Sequence, residues 1–425
     1  MNPMNPSNQF ILLTVDVEDW FQVENLRPCC PVSSWSSHEL RVERNTHRLL
    51  DLLDSIKMKK TVDSRQKTVG RIQKTEDGIQ NASSNSPQSP GSELLGFNTK
   101  SSESCLPAVC LAGKSCLTSP SPPQAQRSSS EAIFHPSRRI RATFFVLGWI
   151  AERLPNLVRE IHARGHEVAS HGYGHELCSQ SSIDDLKEDL AKSKKLLEDI
   201  IGERVYGYRA PSFSISDEIL KLIEEAGYEY DSSYNSFGMH GRYGKISLNG
   251  NRSSGIAILL NQKSTIENRK FYELPISNLS FRKPFSYTCP VKFFKKDSEA
   301  DLTEELSALS SEQNRDSFVL PWGGGAYFRL IPAPLFRIGV REILRQQQAY
   351  LFYMHPWEVD PEQPRPAGTT AFSRFKHYTN LSKTEGKLRS LLRKFSECSF
   401  VGCHEHLEQE RTRNSVEPPQ LNELK

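Results

Sequence analysis

Short apolar runs separated by amphipathic stretches set the rhythm of this chain. The runs Phe10–Asp16, Ala142–Leu147, His166–Ser170, Val205–Arg209, Phe318–Pro321 and Tyr350–Met354 hold β-branched or aromatic residues and end in polar residues or turn signals, which predicts strands. Helical patterns lie between them. One helix is expected near Glu43–Lys57. Pro155 suits a first helical position, and Gly165 stands where a C-terminal cap belongs. Ser182 and Asp185 form a capping pair ahead of Leu186, Leu190 and Leu197 on one face, and Gly202 closes that helix. Ser216 precedes Asp217 and Glu218, whose charge suits a helix N-terminus, and Gly227 stops the run. Strand–helix alternation predicts an α/β fold with a parallel sheet or barrel. The stretch Tyr228–Phe294 follows the rhythm poorly and is expected to hold loops and short extra strands.

One segment breaks the pattern altogether. Residues 61–137 are dense in Ser, Pro, Gln and Asn, as in NASSNSPQSPGSE and SPSPPQAQRSSS, with few aromatics. Such sequence cannot bury enough apolar surface to offset its ordering entropy, so a disordered low-complexity insert is expected. The remainder divides into a discontinuous barrel domain, residues 1–60 and 138–400, and a C-terminal tail, residues 401–425.

Composition narrows the partners. The chain has 425 residues and a formal net charge of only +3, so it lacks the clustered basic footprint of a nucleic-acid-binding protein. Mean hydropathy is −0.54, and no apolar run approaches the ~20 residues that span a bilayer. The opening MNPMNPSNQFILLTVDVEDW reads as a first core strand and not as a signal peptide, which leads to the expectation of a cytoplasmic protein. Its 9 cysteines, among them adjacent Cys29 and Cys30, follow no metal-ligand spacing and are expected to be reduced, incidental thiols.

Four places carry chemistry. SHGYGH at 170–175 follows a strand and sets His171 and His175 four residues apart, so a turn can bring both imidazoles to one transition-metal ion. TVDVEDWF at 14–21 ends a strand in Asp16, Glu18 and Asp19, which are costly to bury unless paired, protonated or bound to a cation. RAPSF at 209–213 places Arg209 at a strand end, where a guanidinium can orient a carboxylate. FYMHPWEVD at 352–360 places His355 at another strand end, where it can donate a proton. Two histidines and a carboxylate that bind a metal leave positions for water and substrate. A second carboxylate would take a proton from the water, and the distant His would protonate an amine leaving group.

In order, TVDVEDWF, RATFFVLGWIAERLP, SHGYGH, YRAPSFSIS, YDSSY and LFYMHP resemble the polysaccharide deacetylases with a NodB-homology domain (carbohydrate esterase family 4). More narrowly the chain is similar to the subgroup associated with exosortase and exopolysaccharide loci, including LPWGGGAYFRLIP at 320–332 and HYTNLSKTEGKLRSLL at 377–392. The resemblance implies a distorted (β/α) barrel of about seven strands and a metal-dependent hydrolase that removes N-acetyl groups from N-acetylhexosamine units of an exopolysaccharide or its precursor. It implies Asp16 as general base, His355 as general acid, Arg209 as the residue orienting Asp16, and Asp231 as a supporting carboxylate acting through Arg209. It implies His171 and His175 as metal ligands, and a backbone amide around Phe213 as oxyanion donor.

The chain departs from the usual pattern at the first motif, where Asp16 is followed by Val17, Glu18 and Asp19 in place of adjacent aspartates. Asp19 is the favoured third ligand and Glu18 its rival. Zinc is the expected ion, with Co, Ni and Fe compatible with the same donors. Trp20, Phe213, Trp322, Tyr327 and Trp357 are candidates to stack on sugar rings. Gly323–Gly325 lacks the Lys-Ser or Lys-Thr of a phosphate loop and reads better as a close approach of backbone to a sugar chain. The partners expected are an N-acetylated polysaccharide or oligosaccharide and the exopolysaccharide biosynthesis machinery. The alternatives are a hydrolase of another linear or cyclic amide on the same fold, and a catalytically silent carbohydrate-binding scaffold.

Overall fold

The computed structural model describes residues 8–59, 139–237, 243–246, 256–258, 271–282 and 317–416. The chain divides into two units, residues 1–61 with 136–425, and residues 62–135. The second unit, and with it the expectation of disorder over 61–137, lies outside the described residues.

Among the described residues eleven strands form: β1 (Phe10–Val17), β2 (Thr143–Val146), β3 (Glu167–Ser170), β4 (Gly207–Tyr208), β5 (Tyr230–Asp231), β6 (Ile256–Ile258), β7 (Phe271–Glu273), β8 (Asn278–Arg282), β9 (Ser317–Pro321), β10 (Ala349–Met354) and β11 (Ser399–Phe400). Nine make one sheet in the order β10-β1-β2-β3-β4-β5-β7-β6, with β11 also pairing β1. Every pairing in it is parallel. The predicted run Phe318–Pro321 does form a strand, but it sits outside this sheet, paired antiparallel with β8.

The sheet curls into a distorted (β/α) barrel, and its seam is irregular. Ile276 donates to the Tyr234 carbonyl at 2.9 Å, Ser277 to the Leu351 carbonyl at 3.2 Å, and Tyr353 to the Gly323 carbonyl at 2.8 Å. One short segment thus bridges the chain after β5 to β10 without a regular ladder. Backbone groups taken from water must find partners, and these bonds supply them across the seam.

The helices start and stop where the sequence places the signals. The helix Ile183–Ile201 begins with Ser182 Oγ accepting from the Asp185 amide at 3.1 Å and ends at Gly202 with φ 74°. Asp217–Glu225 begins with Ser216 Oγ accepting from the Ile219 amide at 3.2 Å. The buried faces of these helices pack on the outer side of the sheet, where each fully buried Leu or Ile contributes roughly 1.5–3 kcal/mol.

Strand alternation decides what fills the barrel. On β1 the odd-numbered Ile11, Leu13 and Val15 join the helix-facing core, whereas Phe10 and Leu12 join a second cluster with Phe145, Tyr230, Tyr272 and Leu351 inside the barrel. Continuing the period of two, Thr14 and Asp16 also face inward, at the carboxyl end of the barrel where α/β ligand sites form. The other end is plugged. Residues 403–416, expected as part of a C-terminal tail, instead form the helix Cys403–Val416, with Cys403 and Leu407 buried in the interior cluster. The Cys403 amide donates to Thr143 Oγ1 at 2.8 Å. The apolar spacing at 403 and 407, four apart, is what makes this segment a helix that docks and not a free tail.

Gly207 on β4 lets β5 come close, since a Cβ there would stand 2.0 Å from Tyr230 Cζ. Gly207→Ala is therefore expected to lower stability by about 1–3 kcal/mol through overpacking. A denaturant titration of the two proteins measures this, and equal midpoints would contradict the packing described.

Candidate active site

The inward side of β1 delivers Asp16 to the barrel mouth, and the loop after β4 delivers Arg209 to meet it. Arg209 Nη1 donates to Asp16 Oδ1 at 2.6 Å and to Thr14 Oγ1 at 2.7 Å. Its Nε and Nη2 donate to the carbonyl and hydroxyl oxygens of Ser232, each at 2.8 Å. The guanidinium has no exposed surface and lies 4.0 Å over the Phe145 ring. A buried charge is tolerated only when paired and bonded in this way.

Asp231, expected to act through Arg209, works by a different route. Its carboxylate accepts from the Ser233 amide at 2.9 Å and the Ser233 hydroxyl at 2.7 Å. Ser233 Oγ in turn accepts from the Ala210 amide at 2.7 Å. Asp231 thereby holds the backbone beside Arg209 and leaves the guanidinium to Ser232. Glu273 lies against it, and burial pushes both carboxyls up, Glu273 further because of its charged neighbour.

The SHGYGH turn places both histidines. Gly172 takes φ 73°, and a Cβ there would meet Asp189 Oδ1 at 2.9 Å. Asp189 accepts from the amides of Tyr173 at 3.0 Å and Gly174 at 3.2 Å, which ties the turn to the helix Ile183–Ile201. His175 itself adopts φ 56°, an unfavourable conformation for a residue with a Cβ. His171 Nδ1 lies 2.8 Å from the Arg209 carbonyl, which can only accept, so Nδ1 carries the proton and Nε2 offers a lone pair.

Glu18, His171 and His175 each present a ligand atom within 4.8 Å of the others, and all three are buried. Glu18 Oε2 is 2.7 Å from His175 Nε2. Burial pushes the His171 imidazole down to about 4, so it is neutral, as a metal ligand must be. Burial pushes Glu18 up, but His175 and His355 outweigh it and hold the carboxyl at about 2. One carboxylate and two imidazoles suit a divalent transition-metal ion.

Asp19, favoured as third ligand from sequence, is turned away from this cluster. Its Oδ1 accepts from the Trp20 amide at 2.8 Å, and its Oδ2 from the amides of Arg41 at 2.6 Å and Val42 at 2.8 Å. It caps two chain segments at once, and its rival Glu18 takes the place beside the histidines.

His355 completes the cluster from the end of β10. Its Nε2 is 3.3 Å from Glu18 Oε1 and 3.9 Å from Asp16 Oδ2, and its Nδ1 is 2.9 Å from Glu358 Oε1. Burial works against its charge, but Glu18, Glu358 and Asp16 outweigh that and raise the ring to about 9. Glu358 and its partner Arg329 escaped the sequence reading. The offset of three between His355 and Glu358 in HPWE was a local signal for the first, and nothing local marked the second.

Asp16, Glu18, His171, His175 and His355 line one cavity that opens to solvent. Of the aromatics expected to meet sugar, Phe213, Tyr327 and Trp357 line it. Trp20 and Trp322 do not. Trp20 is buried against Phe21 and His38, and Trp322 stacks on Phe336 and donates Nε1–H to the Phe336 carbonyl at 2.9 Å. Large rings recover most by full burial, and both sit in the helix-facing core. The Phe213 amide, expected as oxyanion donor, instead donates to the Ala210 carbonyl at 2.9 Å within a tight turn where Ser212 and Phe213 both have positive φ.

A polysaccharide deacetylase family model matches residues 136–230, and a model of a domain of unknown function (DUF3473) matches residues 303–407. A peptidoglycan-N-acetylglucosamine deacetylase of Bacillus cereus is 35% identical over 91 residues, 21% of this chain and 42% of that protein. A chitooligosaccharide deacetylase of Sinorhizobium fredii is 34% identical over 90 residues, again 21% and 42%. The chain thus spans less than half the length of these curated relatives. A solved Bacillus anthracis structure, a CE4 family pseudoenzyme, aligns with a TM-score of 0.36 and 11% identity over 94% of this chain and 66% of that one.

Glu18 and Asp19 separate in a direct test. Glu18→Gln is expected to lose bound metal by elemental analysis while melting near the wild-type temperature. Asp19→Ala is expected to keep its metal but lose about 1–2 kcal/mol of stability with its capping bonds. The reverse pattern would restore Asp19 as the ligand.

Proposed function

We propose that this chain, whose residues 136–230 match a polysaccharide deacetylase family model, is a deacetylase that hydrolyses the N-acetyl groups of N-acetylhexosamine units in an exopolysaccharide or its precursor. The observation that carries this reading is the meeting of Asp16 and His355 in one cavity beside the Glu18, His171 and His175 donor set. The relatives named above for N-acetylglucosamine and chitooligosaccharide substrates support an N-acetylated sugar. The exopolysaccharide assignment rests on the likeness of the motifs to the subgroup found at those loci.

Glu18, His171 and His175 would hold a divalent ion, with zinc the proposed occupant. When bound there, it would polarise the acetyl carbonyl and lower the pKa of a water molecule. Asp16 takes the proton of the attacking water, and the Arg209 bond at 2.6 Å fixes which oxygen is left to do so. His355 gives its Nε2 proton to the departing amine, a step an amide requires because an amide anion leaves poorly. Tyr327 and Trp357 offer ring surface to the sugar beside the reacting group.

Purified protein is expected to release acetate from N-acetylglucosamine oligomers in a zinc- or cobalt-restored, chelator-sensitive manner. Asp16→Asn is expected to retain metal and lose ~10²–10⁴ in kcat. Acetate release that survives metal removal, or an unimpaired Asp16→Asn, would overturn the reading.

A further inference from the structure

We infer that Glu358, itself held by Arg329, is the positioning residue of the acid, fixing the His355 ring with Nδ1 bonded to its carboxylate and Nε2 presented to the leaving group. This rests on the amide-hydrolysis reading above. Glu358 Oε1 lies 2.9 Å from His355 Nδ1 and accepts from the His355 amide at 3.2 Å. Its Oε2 accepts from Arg329 Nε at 2.7 Å. A carboxylate in this pairing only accepts, so the proton between the two groups sits on Nδ1. In the neutral ring, Nε2 is then the nitrogen free to take up and hand over a proton.

The support is rigid at each remove. Arg329 Nη1 donates to the carbonyls of His377 and Thr379, each at 2.8 Å, and Nη2 to the Lys376 carbonyl at 3.0 Å. The guanidinium therefore caps the last turn of the helix Ala371–Tyr378 while it grips Glu358. Both side chains are 1% exposed, so neither can be exchanged for water without loss. Trp357 stacks on the His355 ring at 5.2 Å and 22°, which fixes its plane.

The glycine run that fits no phosphate loop also finds its use. A Cβ at Gly325 would stand 2.1 Å from Glu358 Oε1, and one at Gly324 2.9 Å from the Tyr353 hydroxyl. The helix Gly325–Leu330 can close on Glu358, and bring Arg329 to it, only because these positions lack side chains. His355, Glu358, Arg329 and the glycines all fall within residues 303–407, the segment matched as a domain of unknown function. Part of what that segment does is to build the acid side of this site.

The test compares two acetyl donors on the full-length, metal-loaded protein. N-acetylglucosamine oligomers need a proton on the leaving amine, whereas an aryl acetate releases a phenolate that needs none. Glu358→Gln is expected to cut kcat on the oligomer roughly 10–100-fold with little change in KM, and to leave the aryl acetate within about 3-fold. Gly325→Ala, which displaces Glu358 without altering a polar group, is expected to give the same split. An equal loss on both donors, or no loss on the oligomer in either variant, overturns the inference. Nitrogen-15 spectra of the neutral His355 ring read the positioning without turnover: one Nδ1–H form is expected in the wild type and a mixture in Glu358→Gln. Identical spectra would overturn the inference. A wild type that hydrolyses neither donor, yet shows the ring held and then loosened, would defeat the amide-hydrolysis reading instead.

Discussion

The site depends on one buried guanidinium. Arg209 has no surface to share with water, so each donor it carries must find a protein acceptor. The acceptors come from the first strand, through Thr14 and Asp16, and from the chain after the fifth, through Ser232. The same residue uses its carbonyl to fix the His171 ring. Its side chain therefore orients the proposed base while its backbone orients a proposed metal ligand. The geometry of the two is locked together, and Asp231 with Ser233 secures the next peptide along.

The remaining groups arrive from two other regions of the chain. The residues matched as a deacetylase domain contribute His171, His175 and Arg209, while Asp16 and Glu18 precede that match. His355 follows it, in the segment that also carries Glu358 and Arg329. Parallel strands bring these distant pieces together because each ends at the same rim of the barrel. Adjacent registers set Asp16 opposite Phe145 and Tyr208 opposite Asp231, so the carboxyl ends of these strands lie side by side. The result is a cluster of buried charged and ionisable groups, among which electrostatic contacts weigh more than in water.

What could be read from sequence follows the length of the elements. β1 and β10 carry enough apolar residues to show a pattern, and the helix caps at Ser182, Gly202 and Ser216 are chemical signals that need no tertiary context. β4, β5 and β7 have two or three residues each, too few for a period, and their place is set by neighbours. The choice between Glu18 and Asp19 lies past the end of β1 at Val17, where the Glu18 amide turns back to the Asp16 carbonyl at 3.0 Å, so strand alternation no longer says which carboxylate faces the histidines. Trp20 and Trp322 misled because an aromatic near a motif says nothing about which way its ring turns. The bond between Arg329 and Glu358 spans 29 residues and two elements, so only the folded chain displays it.

The most direct test of the central claim, that this cluster directs water onto an acetyl amide, is the isotopic composition of acetate released from an N-acetylglucosamine oligomer in oxygen-18 water by metal-loaded protein. Hydrolysis as described here predicts one solvent oxygen in each acetate and a free amine left on the sugar. No acetate from protein with metal on Glu18, His171 and His175, or acetate without solvent oxygen, would contradict it.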